Sequence, residues 1–301
     1  MQTMNSKVQG LKAFLGQTGR VALVEVAVTK GSTPREAGAF MLVSASAIFG
    51  TIGGGQLEYM AMDKARQMLG AAARSLANEA RIEVDEVCAT LDVPLGPEIG
   101  QCCGGRVEVS IRLVDGSLEQ QLIARAEADE AQLPHVYLFG GGHVGQALAA
   151  SLALLPIHVV VVETRTEAFD GMPETVETRL APMPEAVVRE APAGSAFAIL
   201  THDHALDFLI VAEALKRDDT AYVGMIGSRT KKATFRSWFL KSAEGSEAQF
   251  DRLVSPIGGS AVKDKRPPVI AALAAAEIMT ALVAHAAQIS GATAVEKAMA
   301  G

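Results

Sequence analysis

His135-Val136-Tyr137-Leu138-Phe139-Gly140-Gly141-Gly142-His143-Val144-Gly145 is the stretch that decides the fold. A short strand, His135 to Phe139, runs into glycines spaced G-x-G-x-x-G. The pattern then predicts a helix over Gln146–Leu155 and a second strand over His158–Val162, ended by Glu163. That acid stands roughly 20 residues beyond the glycines, where a carboxylate can bond a ribose hydroxyl. A lone glycine motif is weak. Strand, glycines, helix, strand and acid in this order predict a Rossmann-like, doubly wound parallel sheet. Ala196–Leu200 and Ala221–Ile226 continue that sheet. Gly140, Gly142, Gly145 and Glu163 are the candidate nucleotide contacts. His143, inside the turn, either faces the ligand or caps the helix.

Working outward, Pro134 marks a boundary. The reading is α/β throughout, with a small α/β domain over 1–117, a polar helix-prone connector over 118–133, and the Rossmann-like domain with a C-terminal helix over 134–301. A chain of 301 residues can bury two such cores. In the first domain Val21–Val28 reads as a buried strand, and Phe40–Ser44 with Ile48–Ile52 as a hairpin. Gly53-Gly54-Gly55 leads into a helix that ends near Gly70. Ala80–Val87 and Arg106–Leu113 read as strands on either side of a cysteine-bearing loop.

Composition narrows the function classes. Apolar residues make up 49% of the chain, as in a globular protein. A net charge of −7 argues against a nucleic-acid partner. Three cysteines form no disulfide framework and suit a reducing cytoplasmic setting. Val269–Ala287 approaches a membrane-spanning length, but it is Ala-rich and interrupted by Glu277 and His285, so a packed helix is expected and no membrane partner. An apolar C-terminal helix also makes a homodimer an expectation.

The cysteine loop is Gly100-Gln101-Cys102-Cys103-Gly104-Gly105. Neighbouring Cα atoms lie about 3.8 Å apart, below the usual disulfide range. Paired zinc ligands are usually two to four residues apart. What remains is either small apolar filler or a pair of thiols on bare backbone, open to a bulky soft metal centre. Cys103, directly against the glycines, has the least steric cover, with Cys102 the alternative. Cys88 reads as structural.

Three further loops bear chemistry. Gly54 and Gly55 precede a helix and form either an anion site or a tight turn. Arg35, in Gly31-Ser32-Thr33-Pro34-Arg35, offers a fork of donors or a solvated surface charge. Thr201-His202-Asp203-His204, with Asp207, follows a strand end, where ligands bind in open α/β sheets. His202 and His204 would line the site; a metal set there is a lesser alternative, because adjacent side chains point apart. Gly227-Ser228-Arg229-Thr230-Lys231 is a second strand-to-helix turn at the same edge, in which either Ser228, Arg229 and Lys231 hold phosphate or Ser228 caps the helix and the basic residues are solvated.

Together these segments resemble the XdhC/CoxI family, the accessory proteins of xanthine dehydrogenase and related molybdenum hydroxylases. The likeness rests on Gly31–Arg35 with Gly38-Ala39, Ile52-Gly53-Gly54-Gly55-Gln56-Leu57-Glu58, Gln101-Cys102-Cys103-Gly104-Gly105 and the Gly140–Gly145 turn. It also rests on Thr201–Asp207, Tyr222–Arg229 and Ser255-Pro256-Ile257-Gly258. It departs from the family at Gly259–Asp264 and at Glu163, where such proteins often carry aspartate. The resemblance implies a non-enzymatic carrier of molybdenum cofactor (molybdopterin). Such a carrier holds its cargo for a cysteine desulfurase and inserts it into apo xanthine dehydrogenase, downstream of the proteins that make the cofactor. Cys103 would be the metal ligand. Two other readings stand beside it: an NAD(P)-dependent oxidoreductase using the glycine turn, and a nucleotidyltransferase acting on the cofactor, which would need acids near Gly53–Gly55, where only Glu58 stands.

Overall fold

Alternation along one strand organises the first half of the chain. Ala22, Val24 and Val26 of β1 (Ala22–Lys30) are buried on one face of a sheet, and Leu23 on the other. The same period of two puts Met41 and Val43 of β2 (Phe40–Val43) on the first face and Leu42 on the second. The computed structural model describes residues 7–77, 88–95 and 104–299. The chain divides into two compact units, Ser6–Ala131 and Gln132–Gly301.

The first unit holds a five-stranded antiparallel sheet. With β3 (Ile48–Gly50), β4 (Cys88–Pro94) and β5 (Arg106–Leu113), the order is β3-β2-β1-β5-β4. Helix α2 (Gly55–Ala77) lays Leu57, Ala61, Ala65, Met68 and Leu69 on the first face. Helices α1 (Lys7–Gln17) and α3 (Gly116–Ala131) cover the second, through Leu11, Leu15 and Leu122. Helix α2 runs past Gly70, where the sequence predicts its end. The glycine costs only about 1 kcal/mol, and Ala71–Ala73 beyond it favour helix. The stretch expected as a connector is mostly α3, which packs on its own unit: Leu122 is buried and Arg125 donates to Glu25 and to the Gly38 carbonyl. Cys88 is exposed at the start of β4. The expected strand Ala80–Val87 lies outside the described residues.

The second unit is a six-stranded parallel sheet made of β6 (His135–Phe139), β7 (His158–Glu163), β8 (Glu177–Leu180), β9 (Ala196–Ile199), β10 (Tyr222–Met225) and β11 (Leu253–Val254). The order β11-β10-β9-β6-β7-β8 is the doubly wound order, with its reversal between β6 and β9. Val136 and Leu138 of β6 face α4 (His143–Leu152) and α9 (Pro267–Met299). Tyr137 and Phe139 face the layer formed by α5 (Pro184–Glu190), α6 (His204–Lys216) and α7 (Arg229–Ser242). The short helix α8 (Glu247–Phe250) leads into β11.

Among the described residues one helical segment, Pro267–Ile289 of α9, is long and apolar enough to cross a bilayer. Ala271, Ala274, Ala275, Ile278 and Leu282 of that helix are buried in the same core as Leu148, Ala149 and Leu152 of α4. Its one acid in that stretch, Glu277, accepts from Tyr222 Oη at 2.5 Å and from the Gly258 amide at 3.1 Å. Burial and the Glu277 carboxylate push the Tyr222 phenol far above its ordinary pKa, so the proton stays on the donor.

Candidate functional site

In the first unit, three of the quoted loops meet. Pro34 and Arg35 lie over Gly53: a Cβ there would come within 2.8 Å of Pro34 Cγ and 3.5 Å of Arg35 Cγ. Gly105 lies against the Gly31–Ser32 turn, with no room for a side chain between it and the Lys30 and Ser32 carbonyls. The segment that follows the cysteine pair is thus placed beside the Gly31–Arg35 loop, which in turn covers Gly53. Cys102 and Cys103 themselves lie outside the described residues.

The glycine turn in this cluster is not an open anion cradle. Glu58 Oε2 accepts from Thr51 Oγ1 at 2.6 Å, from the Gly54 amide at 3.0 Å and from the Ile52 amide at 3.2 Å. The Gly53 amide donates to Thr51 Oγ1 at 3.1 Å. The positive φ of Gly53, Gly54 and Gly55 turns these amides inward, and a carboxylate one turn along α2 fills the nest they make. An external phosphate at Gly54 would have to displace Glu58. Gly55, as the first residue of α2, and exposed Arg35 carry no such competing contact with Glu58.

In the second unit the strand ends gather the other candidates. Gly140 has φ +115°, and a Cβ on it would come within 2.8 Å of the Leu200 carbonyl. A Cβ on Gly145 would collide with the Gly140 carbonyl oxygen, so α4 can start only with glycine there. Gly142 is the N-cap of α4 and has no side chain to satisfy its first turn. In contrast, Asp203 caps α6 by accepting from the Ala205 and Leu206 amides, and Ser228 caps α7 by accepting from the Lys231 amide. Of these three helices at the ligand edge, α4 alone presents its N-terminal amides and dipole without a side-chain cap.

Glu163 ends β7 as the sequence predicts, and it is buried. Its Oε2 accepts from the Gly141 amide at 3.1 Å and from Arg165 at 3.3 Å, and its Oε1 from the Thr164 amide at 2.8 Å and Thr164 Oγ1 at 3.1 Å. Burial pushes this carboxyl up, but the Gly141 and Thr164 amides and Arg165 outweigh it, leaving the pKa below its ordinary value. The acid is held ionised beside the glycine turn.

Two cavities flank that turn. One of about 120 Å³ lies on the Glu163 side and reaches Pro184 and Leu206. The other, of about 450 Å³, is lined by Gly142, His143, His204, Ser228, Lys231 and neighbours. His143, His202, His204 and Ser228 are therefore brought together. Arg229 is exposed on the first turn of α7 and lines neither cavity. Among the described residues no group of three or more His, Cys, Asp or Glu is placed to hold a metal ion. The reason at this edge is local: the Asp203 side chain caps α6, and Asp207 is turned inward.

Sequence reasoning did not give Asp207 and Lys231 their role. Lys231 donates to Asp207 Oδ2 and to the Ile226 carbonyl at 3.1 Å, while Asp207 Oδ1 accepts from Thr201 N at 3.2 Å and Thr201 Oγ1 at 2.6 Å. Both side chains are buried, Asp207 completely. This pair ties the β9, α6 and α7 corners of the site together. The signal was the spacing of Asp203 and Asp207, one helical turn apart, so that the first caps the helix while the second faces the core.

A family model described as the XdhC Rossmann domain matches residues 136–278, and one described as the XdhC and CoxI family matches residues 15–78. The chain belongs to the XdhC and CoxI family. Its two matched segments fall one in each compact unit, and each contains the glycine turn of that unit. The Escherichia coli K12 protein YqeB, described as uncharacterized, is 27% identical over 270 residues, covering 86% of this chain. The chain spans 43% of the length of that curated relative. A crystal structure from Bacillus halodurans described as a xanthine dehydrogenase matches with a TM-score of 0.73, covering 93% of this chain and 96% of that one at 17% identity. At that identity the likeness concerns the fold.

Proposed function

We propose that this XdhC-family protein serves xanthine dehydrogenase maturation as a carrier of molybdenum cofactor. It receives the cofactor from the proteins that make it, holds it while a cysteine desulfurase replaces an oxo ligand by sulfur, and delivers it to the apoenzyme. A second copy of the chain completes a homodimer. Family membership supports the role in maturation. The observation that carries the finer reading is the meeting of the Gly31–Arg35, Gly53–Gly55 and Gly104–Gly105 loops in the first unit. It packs Gly105 against the loop that carries Arg35, an arrangement that suits a ligand soft at the metal and anionic at the phosphate. In this reading Cys103 binds molybdenum, with Cys102 the alternative, and Arg35 meets the phosphate.

The test is co-elution. The purified protein incubated with molybdenum cofactor is expected to retain it, and Cys103→Ala to retain little. Wild-type retention by Cys103→Ala together with loss in Cys102→Ala moves the ligand to Cys102. Retention by both variants ends the thiolate reading.

A second ligand is favoured by a separate observation. The uncapped N-terminus of α4, the tight Gly140 and Gly145 packing and the ionised Glu163 fit a nucleotide such as NAD(P) in the second unit. Glu163 would accept from a ribose hydroxyl in place of the exposed Arg165, and the first amides of α4 would meet the phosphates. This reading needs no hydride transfer, and it makes the second unit a nucleotide-responsive part of the carrier.

A further inference from the structure

We propose that His202 is a displaceable partition that sets the affinity of the second unit for dinucleotides, an inference that rests on the nucleotide reading of that groove. The second glycine of a G-x-G-x-x-G turn is bare so that a diphosphate can pass close to the backbone. In this protein that space is filled. A Cβ built on Gly142 would lie 2.7 Å from His202 Nε2 and 3.2 Å from its Cε1, so the edge of the imidazole rests on the face of Gly142. The two cavities share two lining residues, Thr201 and His202. Thr201 is anchored below them by its bonds to Asp207, so His202 is the member that can move. It is exposed, and among the described residues no hydrogen bond or ion pair holds its ring.

The place of His202 follows from the topology. Strands β6 and β9 are neighbours at the reversal of strand order, so the loop after β9 lies beside the glycine turn after β6. His202 stands in that loop, two residues before α6 begins. The chamber on the Glu163 side, about 120 Å³, is the smaller of the two. A nucleoside can place its ribose at Glu163 without crossing Gly142. A dinucleotide must run its diphosphate over Gly142 into the 450 Å³ chamber, and for that the imidazole has to turn away. Its displacement is a cost borne by the two-chamber ligand alone.

Titration calorimetry on the full chain separates the outcomes, with adenosine as the one-chamber probe and NAD⁺ and ADP-ribose as the two-chamber probes. His202→Ala is expected to tighten NAD⁺ and ADP-ribose by about threefold to tenfold, the range for releasing one ordered side chain. Adenosine should be unchanged. His202→Phe keeps the bulk and removes the ring nitrogens, so it should leave the dinucleotides at or below wild-type affinity. Equal NAD⁺ binding by wild type and His202→Ala overturns the partition and leaves the nucleotide site standing. Weaker binding by both variants makes His202 a phosphate contact and also overturns it. No binding of any of the three probes to wild type or to His202→Ala overturns the nucleotide reading, and this inference with it.

Discussion

Replacing Asp207 by Leu should be among the most damaging single changes in the second unit. Asp207 is fully buried and Lys231 is 7% exposed, so removing the carboxylate strands an ammonium in the core. Breaking a buried pair from one side costs about 3–5 kcal/mol. Thr201 N and Oγ1 lose their acceptor at the same time. For a unit of this size, each kcal/mol lowers the midpoint by roughly 2–4 °C, so a fall of roughly 6–20 °C is expected. The chain has one tryptophan, Trp238, on α7 against Phe208 and Phe235. Its fluorescence therefore follows the second unit by itself, which matters because a two-unit chain need not unfold in one step. The double variant Asp207→Leu with Lys231→Met should recover most of the loss, since replacing both charges by apolar groups is often near neutral. If the single variant melts with wild type, or the double variant is as unstable as the single, the buried pair is not what holds this corner.

Two further outcomes follow from the hydrogen bonding. Glu58→Ala removes the acceptor of Thr51 Oγ1 and of the Ile52 and Gly54 amides, so it should cost the first unit about 1–3 kcal/mol; faster hydrogen exchange at both amides would show it, and unchanged exchange would mean the nest is held by something else. Glu163 has a folded pKa below its ordinary value, so its stabilisation is present above the usual carboxylate range and is lost as pH falls through the folded pKa. Trp238 unfolding midpoints measured from pH 7 downward should fall less steeply in Glu163→Gln than in wild type, and parallel curves would contradict the assignment.

The second unit was legible because its signals are local and ordered. Strand, glycines, helix, strand and acid sit within 30 residues, and Glu163 lands where the order requires. Helix ends were less legible. Gly70 is a weak breaker inside an alanine-rich run, and α4 stops at Leu152, short of the predicted Leu155. What sequence could not give were contacts set by the folded path of the backbone. Glu58 was visible only as a lone acid, yet folding carries it under the Gly53–Gly55 turn and fills a nest that the glycines alone advertise as open. Ser228 read as either a phosphate contact or a cap, and Asp203 only as part of a ligand-facing stretch, and the helices they precede take both as caps. The position of His202 over Gly142 depends on β6 and β9 lying side by side, which no spacing in the sequence reports.

Reconstitution tests the proposed delivery of molybdenum cofactor to xanthine dehydrogenase. Apo xanthine dehydrogenase is mixed with limiting cofactor and with a cysteine desulfurase and its substrate, with or without the full chain. Active enzyme is then counted by xanthine turnover. A higher yield is expected with the protein present, and Cys103→Ala should lose that gain. Equal yields with and without the protein would contradict that delivery.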